Sequence, residues 1–176
     1  MSAYSASLIA SKYWQTTDLK DMDQSQWEAI CDGCAKCCLH KFIDDQEADE
    51  DPAQNAHTDH LKDDEEVVYT KIACQYLHTK KCECTQYAKR SVLVPQCVTL
   101  TKENLDAVFY MPPSCAYRRL QEGRGLPHWH PLRNNGKKNK MHALGMSARA
   151  KTVCETHVDL RDFEDFIVTW PQDDID

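Results

Sequence analysis

Four cysteines fall within eight residues, Cys31-Asp-Gly-Cys34-Ala-Lys-Cys37-Cys38, and six more are spread over the rest of a 176-residue chain. A segment this dense in thiols folds around whatever joins its sulfurs, so the cysteines constrain the architecture before any helix or strand does. Two kinds of joint are available, disulfides or a metal, and the compartment decides between them. Residues 1–23 hold one short apolar patch, Leu8-Ile9-Ala10, with no basic leader and no continuous apolar run of a signal peptide. No stretch approaches the roughly 18 apolar residues of a spanning helix. The expectation is a cytoplasmic chain with no membrane partner, whose thiols stay reduced unless a metal holds them. Disulfide stapling is the weaker reading. Adjacent Cα atoms lie about 3.8 Å apart, short of the roughly 4.4–6.8 Å usual across a disulfide, so Cys37 and Cys38 do not bridge each other.

The rest of the composition fits a fold that leans on such a joint. Hydrophobic residues make up 41% of the chain in a count that includes the cysteines, which leaves a thin core. A structural zinc supplies roughly 10–16 kcal/mol of apparent binding energy that a small fold shares. The formal net charge of −7 is unevenly spread, because residues 44–66 hold 11 acidic residues and one lysine. The remainder has 17 acidic against 20 basic residues, so charge excludes neither a protein nor a nucleic-acid partner.

Along the chain, Tyr13, Trp14, Leu19, Met22, Trp27 and Ile30 stand near helical spacing and predict one or two short helices before the cysteine run. Ser25 and Glu28 have the spacing of a capping box that would start the second of them. Residues 45–64 are acidic, polar and nearly free of large apolar side chains, and read as a flexible insertion in a single domain spanning 1–176. His57 and His60 within it read as solvated surface histidines. Residues 66–73 predict a strand that leads directly into Cys74. Residues 74–97 read as a ligand-bearing loop with little regular structure. A short helix over 101–110 stops at Pro112 and Pro113, just ahead of Cys115, and another covers 116–122. Phe163, Phe166, Ile167 and Trp170 predict an amphipathic C-terminal helix. The fold class is α+β, a small domain of short helices and little strand around a cysteine-rich metal centre.

These residues carry a resemblance. Cys-x-x-Cys-x-x-Cys-Cys at 31–38, Cys74-x-x-Leu77, Cys84-x-x-Tyr87-x-x-Arg90 and Cys97 resemble the CxxCxxCC family of zinc- or iron-chelating cysteine-cluster proteins, the YkgJ type. The Trp27-Glu-Ala-x-Cys31 start, the Cys82-x-Cys84 pair, Pro-Pro-x-Cys115-Ala-Tyr and Trp129-His130-Pro131-Leu132 are similar to its YcgN-like bacterial subgroup. The resemblance implies Cys31, Cys34, Cys37, Cys38, Cys74, Cys82, Cys84, Cys97 and Cys115 as metal ligands. Cys154 has no counterpart in the pattern and stays outside the ligand set. The family's biochemical role is undefined, so the resemblance names relatives without naming a reaction.

Nine thiols exceed the four that one tetrahedral zinc or one cubane requires, which implies two centres or one polynuclear centre. The x2, x2 spacing of Cys31, Cys34 and Cys37 can wrap three corners of a [4Fe–4S] cube, the fourth ligand coming from a distance, and favours an iron–sulfur cluster. The Cys-Pro ending of bacterial ferredoxin loops is missing, and all-cysteine zinc is the alternative. Adjacent Cys37 and Cys38 are expected to point apart and serve separate ions, or to leave one thiol free and reactive.

Arg90 and Lys36 are candidates to offset thiolate charge. Tyr87 reads as a core ring. On an extended segment the rings of His128 and His130 would face one side and could complete an open site, although a histidine bound in a turn is the first reading for His130 and also for His40. His142 has either a structural or an anion-binding role. No phosphate-binding loop, dinucleotide glycine pattern or nucleophile elbow is present, so familiar cofactor-enzyme classes lose support. Two functions remain. One is an iron–sulfur or other redox-active metal protein in electron transfer, metal handling or modification of another macromolecule. The other is a zinc-stabilised interaction module without chemistry.

Overall fold

The computed structural model describes residues 4–44, 66–97 and 99–176. The expected acidic insertion at 45–64, with His57 and His60, lies outside the described residues. Five short helices and six strands are present among them, interspersed with 3-10 turns, which matches the α+β expectation.

The N-terminal part supplies a helix, α1 (Ala6–Ser11), two 3-10 turns and a second helix, α2 (Gln24–Ile30). The capping box of α2 is formed by Asp23 and Gln26, not by Ser25 and Glu28. Asp23 Oδ1 accepts the Gln26 N–H at 2.9 Å and Gln26 Oε1 accepts the Asp23 N–H at 2.9 Å. The same x-x spacing recurs two residues upstream, where a carboxylate offers a stronger acceptor than a hydroxyl and the helix gains two residues. Ser25 therefore lies inside the helix. Trp27, Ala29 and Ile30 of α2 are buried in the main core with Tyr13, Leu19, Met22, Leu105, Met111 and Tyr117. The Trp27 and Tyr117 rings lie 4.7 Å apart, and the Tyr117 hydroxyl donates to the Trp27 carbonyl at 2.8 Å. Such a pair contributes about 0.5–1.5 kcal/mol beyond its buried area. It fixes the end of α2, and so the start of the cysteine run, against α4 (Ala116–Gln121).

The expected strand is β2 (Glu66–Ala73), with six of its eight residues rich in β-branched or aromatic type or directly packed, and Val67, Tyr69, Ile72 and Ala73 buried. It pairs antiparallel with β1 (Leu39–Asp44), which begins immediately after Cys38. Two short strands share the other edge of β2. β5 (Val153–Cys154) pairs parallel to it through Ile72 and Ala73, and β6 (Ile167–Val168) pairs antiparallel through Tyr69 and Thr70. β3 (Leu77–His78) and β4 (Glu83–Cys84) form a separate hairpin, followed by α3 (Arg90–Leu93). The region 74–97 thus has more regular structure than its composition suggests. α5 (Asn139–Ala143) follows the basic loop.

The C-terminal segment does not form the expected amphipathic helix. Residues 160–166 make 3-10 turns broken at Asp162, and the chain then pairs with β2 as β6. Its aromatic side chains find partners on the sheet: Phe163 meets Phe42 with ring centroids 4.7 Å apart, and the Lys71 ammonium sits 5.5 Å from the Phe166 centroid. A strand edge that satisfies backbone groups outcompetes a short isolated helix. The last residues then cross the domain as a strap. Trp129 Nε1 donates to the Ile175 carbonyl at 2.5 Å, Arg119 pairs with Asp174 at 2.6 Å, and Lys36 reaches two strap carbonyls.

Candidate metal centre

The cysteine run is wound by two left-handed residues. Gly33 has φ +69 and Ala35 has φ +63. Its left-handed backbone angle disfavours a side chain at Gly33, and a Cβ there would have to displace the mobile end of Lys138, whose Nζ lies 2.3 Å away. Asp32 closes the turn, its Oδ1 accepting the Cys34 N–H at 2.8 Å. Cys34 O accepts from Ala148 N at 2.8 Å, and Tyr4 donates to Cys31 O at 2.6 Å, so backbone bonds tie the loop to distant segments. A 3-10 turn over Lys36–Cys38 then feeds β1.

The remaining thiols arrive by topology. The β1–β2 register pairs Leu39 with Ala73, and the Cys74 N–H donates to Cys38 O at 3.0 Å. Cys84 lies on β4 opposite Leu77, Cys97 closes a turn after α3 with its N–H on Val94 O at 2.9 Å, and Cys115 caps α4.

Electrostatic coupling sorts these sulfurs into two groups. In the inner group Cys31 is held above the usual thiol range by desolvation and also by Asp32, Cys37 and Cys115, while Cys34 is raised by desolvation, Asp32 and Cys37. Cys115 is pushed up to about 12, first by desolvation, with Asp32 and Cys37 adding to it. In the outer group Cys74 is raised by desolvation and by Cys84 and Cys97, and Cys97 by desolvation and by Cys37 and Cys84. The seam is the adjacent pair. Cys38 hydrogen-bonds to Cys37, which lowers the Cys37 thiol and raises that of Cys38, where Cys74 and Cys97 add to the rise. The expectation that Cys37 and Cys38 point apart is thereby corrected, since the two thiols lie within hydrogen-bonding reach of each other at the end of the 3-10 turn. Cys31 and Cys37 are solvent-exposed, yet protein crowds them enough that desolvation remains a leading influence on Cys31.

Two sequence-noted cysteines stand elsewhere. Cys82, buried and at φ +54, packs with Ala35, Leu39, Ala73, Leu77 and Ala148, hydrogen-bonds with Ser147, and has Lys138 and Arg149 as its charged neighbours. Cys154 pairs with Ala73 in the sheet, and its sulfur meets Thr156 Oγ1 at 3.1 Å.

Positive charge lies where the thiols are. Lys36 is fully buried, and its ammonium donates to Ser114 Oγ at 2.8 Å, Pro171 O at 3.1 Å and Asp173 O at 3.2 Å. Burial lowers its pKa, while Cys34 and Asp32 oppose that shift. Arg90 stacks 3.8 Å from the Tyr87 ring centroid and lowers the Cys97 thiol. Tyr87 is 52% exposed and hydrogen-bonds to Glu28, so it is no core ring. The sequence reading missed Lys41, which faces Cys37, Cys38, Cys97 and Cys115 and donates to Cys37 O at 3.4 Å. Its position three residues past the run, on a strand that starts there, was the available signal.

The histidines are otherwise engaged. His130 is fully buried, accepts the Leu132 N–H on Nδ1 at 3.1 Å, and therefore carries its proton on Nε2, which faces Ile30 O at 3.0 Å. Both nitrogens are used, and no ligand position is left. The 127–130 segment is a turn, with His130 N–H on Pro127 O at 3.0 Å, so the expected extended segment with His128 and His130 facing one side is not formed. His40 pairs with Glu155 at 2.5 Å, and His142 bonds Ser147 Oγ at 2.7 Å.

Among the described residues, no three Cys, His, Asp or Glu side chains converge on one ion-sized point. The donor set still suits a thiophilic metal. Eight sulfurs on single-bond rotors share one neighbourhood with three cations, and soft thiolates select zinc or iron. No helix among the described residues is long and apolar enough to cross a membrane.

A family profile described as "Putative zinc- or iron-chelating domain", of the CxxCxxCC type, matches residues 30–116. Those bounds take in every cysteine of both groups and stop short of Cys154. A UPF0260 protein of Shewanella amazonensis is 44% identical over 165 residues, covering 94% of this chain and 99% of the relative. One from Parvibaculum lavamentivorans is 43% identical over 159 residues, with 90% and 92% covered, and one from Allorhizobium ampelinum is 40% identical over 164, with 93% and 92% covered. No solved structure matches. With the likeness running through nearly the whole of each sequence, the chain belongs to the UPF0260 protein family.

Proposed function

We propose that the protein chelates metal through the thiols of the two groups, Cys31, Cys34, Cys37 and Cys115 in one and Cys38, Cys74, Cys84 and Cys97 in the other. The observation that carries this reading is that thiols from five separate chain segments lie within electrostatic reach of one another, beside Lys36, Lys41 and Arg90. A set of free thiols gains nothing from neighbouring cations, whereas thiolates gathered around a metal need them. Cys82 belongs to the apolar wall in this reading, not to the ligand set implied by the sequence.

An iron–sulfur cluster is the first assignment of the metal, supported by the x2, x2 spacing and the remote thiol Cys115. When bound it supplies one-electron chemistry, and the chain's own residues hold its charge: Lys36 beneath Cys34, Lys41 at the seam and Arg90 beside Cys97. The protein then works in the cytoplasm in electron transfer, metal handling or modification of another macromolecule. Zinc is the second assignment. It makes the fold a stapled interaction module, and the exposed Tyr87, Val92 and Leu93 beside Cys97 are the observation in its favour, since they offer a partner surface next to the metal. Anaerobic purification with metal and sulfide analysis decides. Broad visible absorption with stoichiometric sulfide supports the first assignment, and a colourless zinc protein supports the second. A metal-free, fully folded protein with ten titratable thiols refutes both.

A further inference from the structure

The inner group holds a donor that is not a thiol. Asp32 is 3% exposed, and its two oxygens have different fates. Oδ1 accepts the Cys34 N–H, which fixes the carboxylate's orientation inside the turn, while Oδ2 is buried without any hydrogen-bond partner. An orphaned carboxylate oxygen is among the more expensive groups a protein can bury. On the loop itself stand Cys31, Cys34 and Cys37, and Cys115 faces it from the start of α4, all of which are disfavoured as thiolates by Asp32. From the other packed elements Cys82, His130 and His142 lie within its field, and Lys36 is the cation whose charge it supports. A buried carboxylate placed among four thiols is a poor arrangement for the empty chain and a good one around a cation.

Resting on the thiolate-metal reading, we propose that Asp32 Oδ2 is an oxygen ligand of the metal held by the inner group, giving that centre mixed sulfur and oxygen coordination. Zinc accepts carboxylate oxygen at about 2.0–2.2 Å beside thiolate sulfur at about 2.3 Å. An iron corner of a cluster takes the same exchange of one anionic donor for another. Asp32 then takes the fourth place that the thiolate reading gave to Cys37, whose exposed thiol is hydrogen-bonded to Cys38 and stays out of the inner shell whether or not Asp32 is present. Cys31, Cys34 and Cys115 complete the inner set with Asp32.

The test compares metal content per chain and metal-edge X-ray absorption of the anaerobically purified full-length protein and its variants. Asp32→Asn keeps an oxygen to accept the Cys34 N–H but offers no anionic ligand, and it loses about half of the bound metal, the inner share of two four-donor centres. Asp32→Cys, which restores an anionic donor without restoring the turn, recovers the metal, and Cys37→Ser keeps it. The wild-type spectrum contains a light-atom shell near the carboxylate distance that Asp32→Cys lacks. Full metal in Asp32→Asn, equal deficits in Asp32→Asn and Asp32→Cys, or a wild-type spectrum with sulfur scatterers only each overturns the assignment while leaving the thiolate reading standing. A wild-type protein that carries no metal overturns the thiolate reading itself, and this assignment with it.

Discussion

Lys36 is the residue through which the metal loop, α4 and the C-terminal strap are joined, and Lys36→Met tests whether that joint holds the fold. Methionine fills most of the aliphatic volume and removes only the charged donor. Three acceptors lose their partner: Ser114 Oγ, Pro171 O and Asp173 O. Ser114 and Pro171 are buried, while Asp173 is exposed and can turn its carbonyl to water. Each of the two orphaned buried acceptors costs about 1–3 kcal/mol, and the third lost bond costs about 1 kcal/mol. Against this roughly 3–7 kcal/mol stands the relief of no longer burying an ammonium, itself several kcal/mol before pairing. The loss of Coulombic support from Cys34 and Asp32, which oppose the lysine's desolvation, keeps that relief partial. A net destabilisation of about 2 kcal/mol follows, and with a urea slope of about 2 kcal/mol/M the unfolding midpoint falls by about 1 M. Tryptophan fluorescence in urea at equal metal load reads it, since Trp129 and Trp170 flank the strap. A midpoint within about 0.3 M of wild type would refute the reasoning, because it would mean that the strap is held without the ammonium.

Three further outcomes are expected. Asp23→Ala removes the cap of α2 and lowers stability by about 1 kcal/mol, whereas Ser25→Ala, inside the helix, stays within about 0.5 kcal/mol; paired denaturant melts distinguish the two. Cys154→Ser retains the full wild-type metal content in elemental analysis, because its sulfur faces Thr156 and belongs to neither group. Stability falls as pH drops below about 6.5, since burial holds the native pKa of His130 and of His142 below the unfolded value near 6.5. In that window the unfolded chain takes up protons that the native protein refuses; above it the contribution is fully present. His130→Gln flattens the pH dependence of the melting temperature between pH 6.5 and 5 even where it lowers the temperature itself, and an unchanged slope would exclude His130 as a source.

How much of the site was legible in the sequence depends on the distance over which each determinant acts. The spacing of Cys31, Cys34 and Cys37, the strand that delivers Cys74 and the helix stop before Cys115 are local, and each is recognisable from a few consecutive residues. The division into two groups is not local. It arises because the β1–β2 register sets Cys74 beside Cys38 and because α4 packs on α2 through Tyr117 and Trp27, and both depend on contacts across the fold. Cys82 shows the same limit from the other side: the resemblance implies Cys82 as a ligand along with Cys84, but a left-handed residue in the hairpin turns its sulfur toward Ser147 and the apolar wall, while Cys84 continues on the strand.

The C-terminal stripe shows how a correct pattern can lead to the wrong element. Phe163, Phe166 and Trp170 do present apolar faces, but to the sheet and to Lys71 and Lys151, with backbone pairing to β2 supplying what helical bonds would have supplied. That choice matters for the metal loop. A helix would rise only about 1.5 Å per residue and pack its end locally, whereas the observed path is strand β6 followed by a 3-10 turn over Trp170–Gln172, with rises of about 3.3 and 2.0 Å per residue. That path carries the carbonyls of Pro171 and Asp173 to Lys36 and that of Ile175 to Trp129, so the same segment that fails as a helix closes the floor beneath Cys34. Its ion pairs run from Asp174 to Arg119 on α4 and to Arg124 just past it, which anchor the strap beside the helix that Cys115 caps. The strap therefore couples both ends of the inner group, and removing residues 171–176 should release Lys36 and Arg119 together and cost the inner metal before the outer one, an order that stepwise chelator titration of the truncated and full-length chains reads directly.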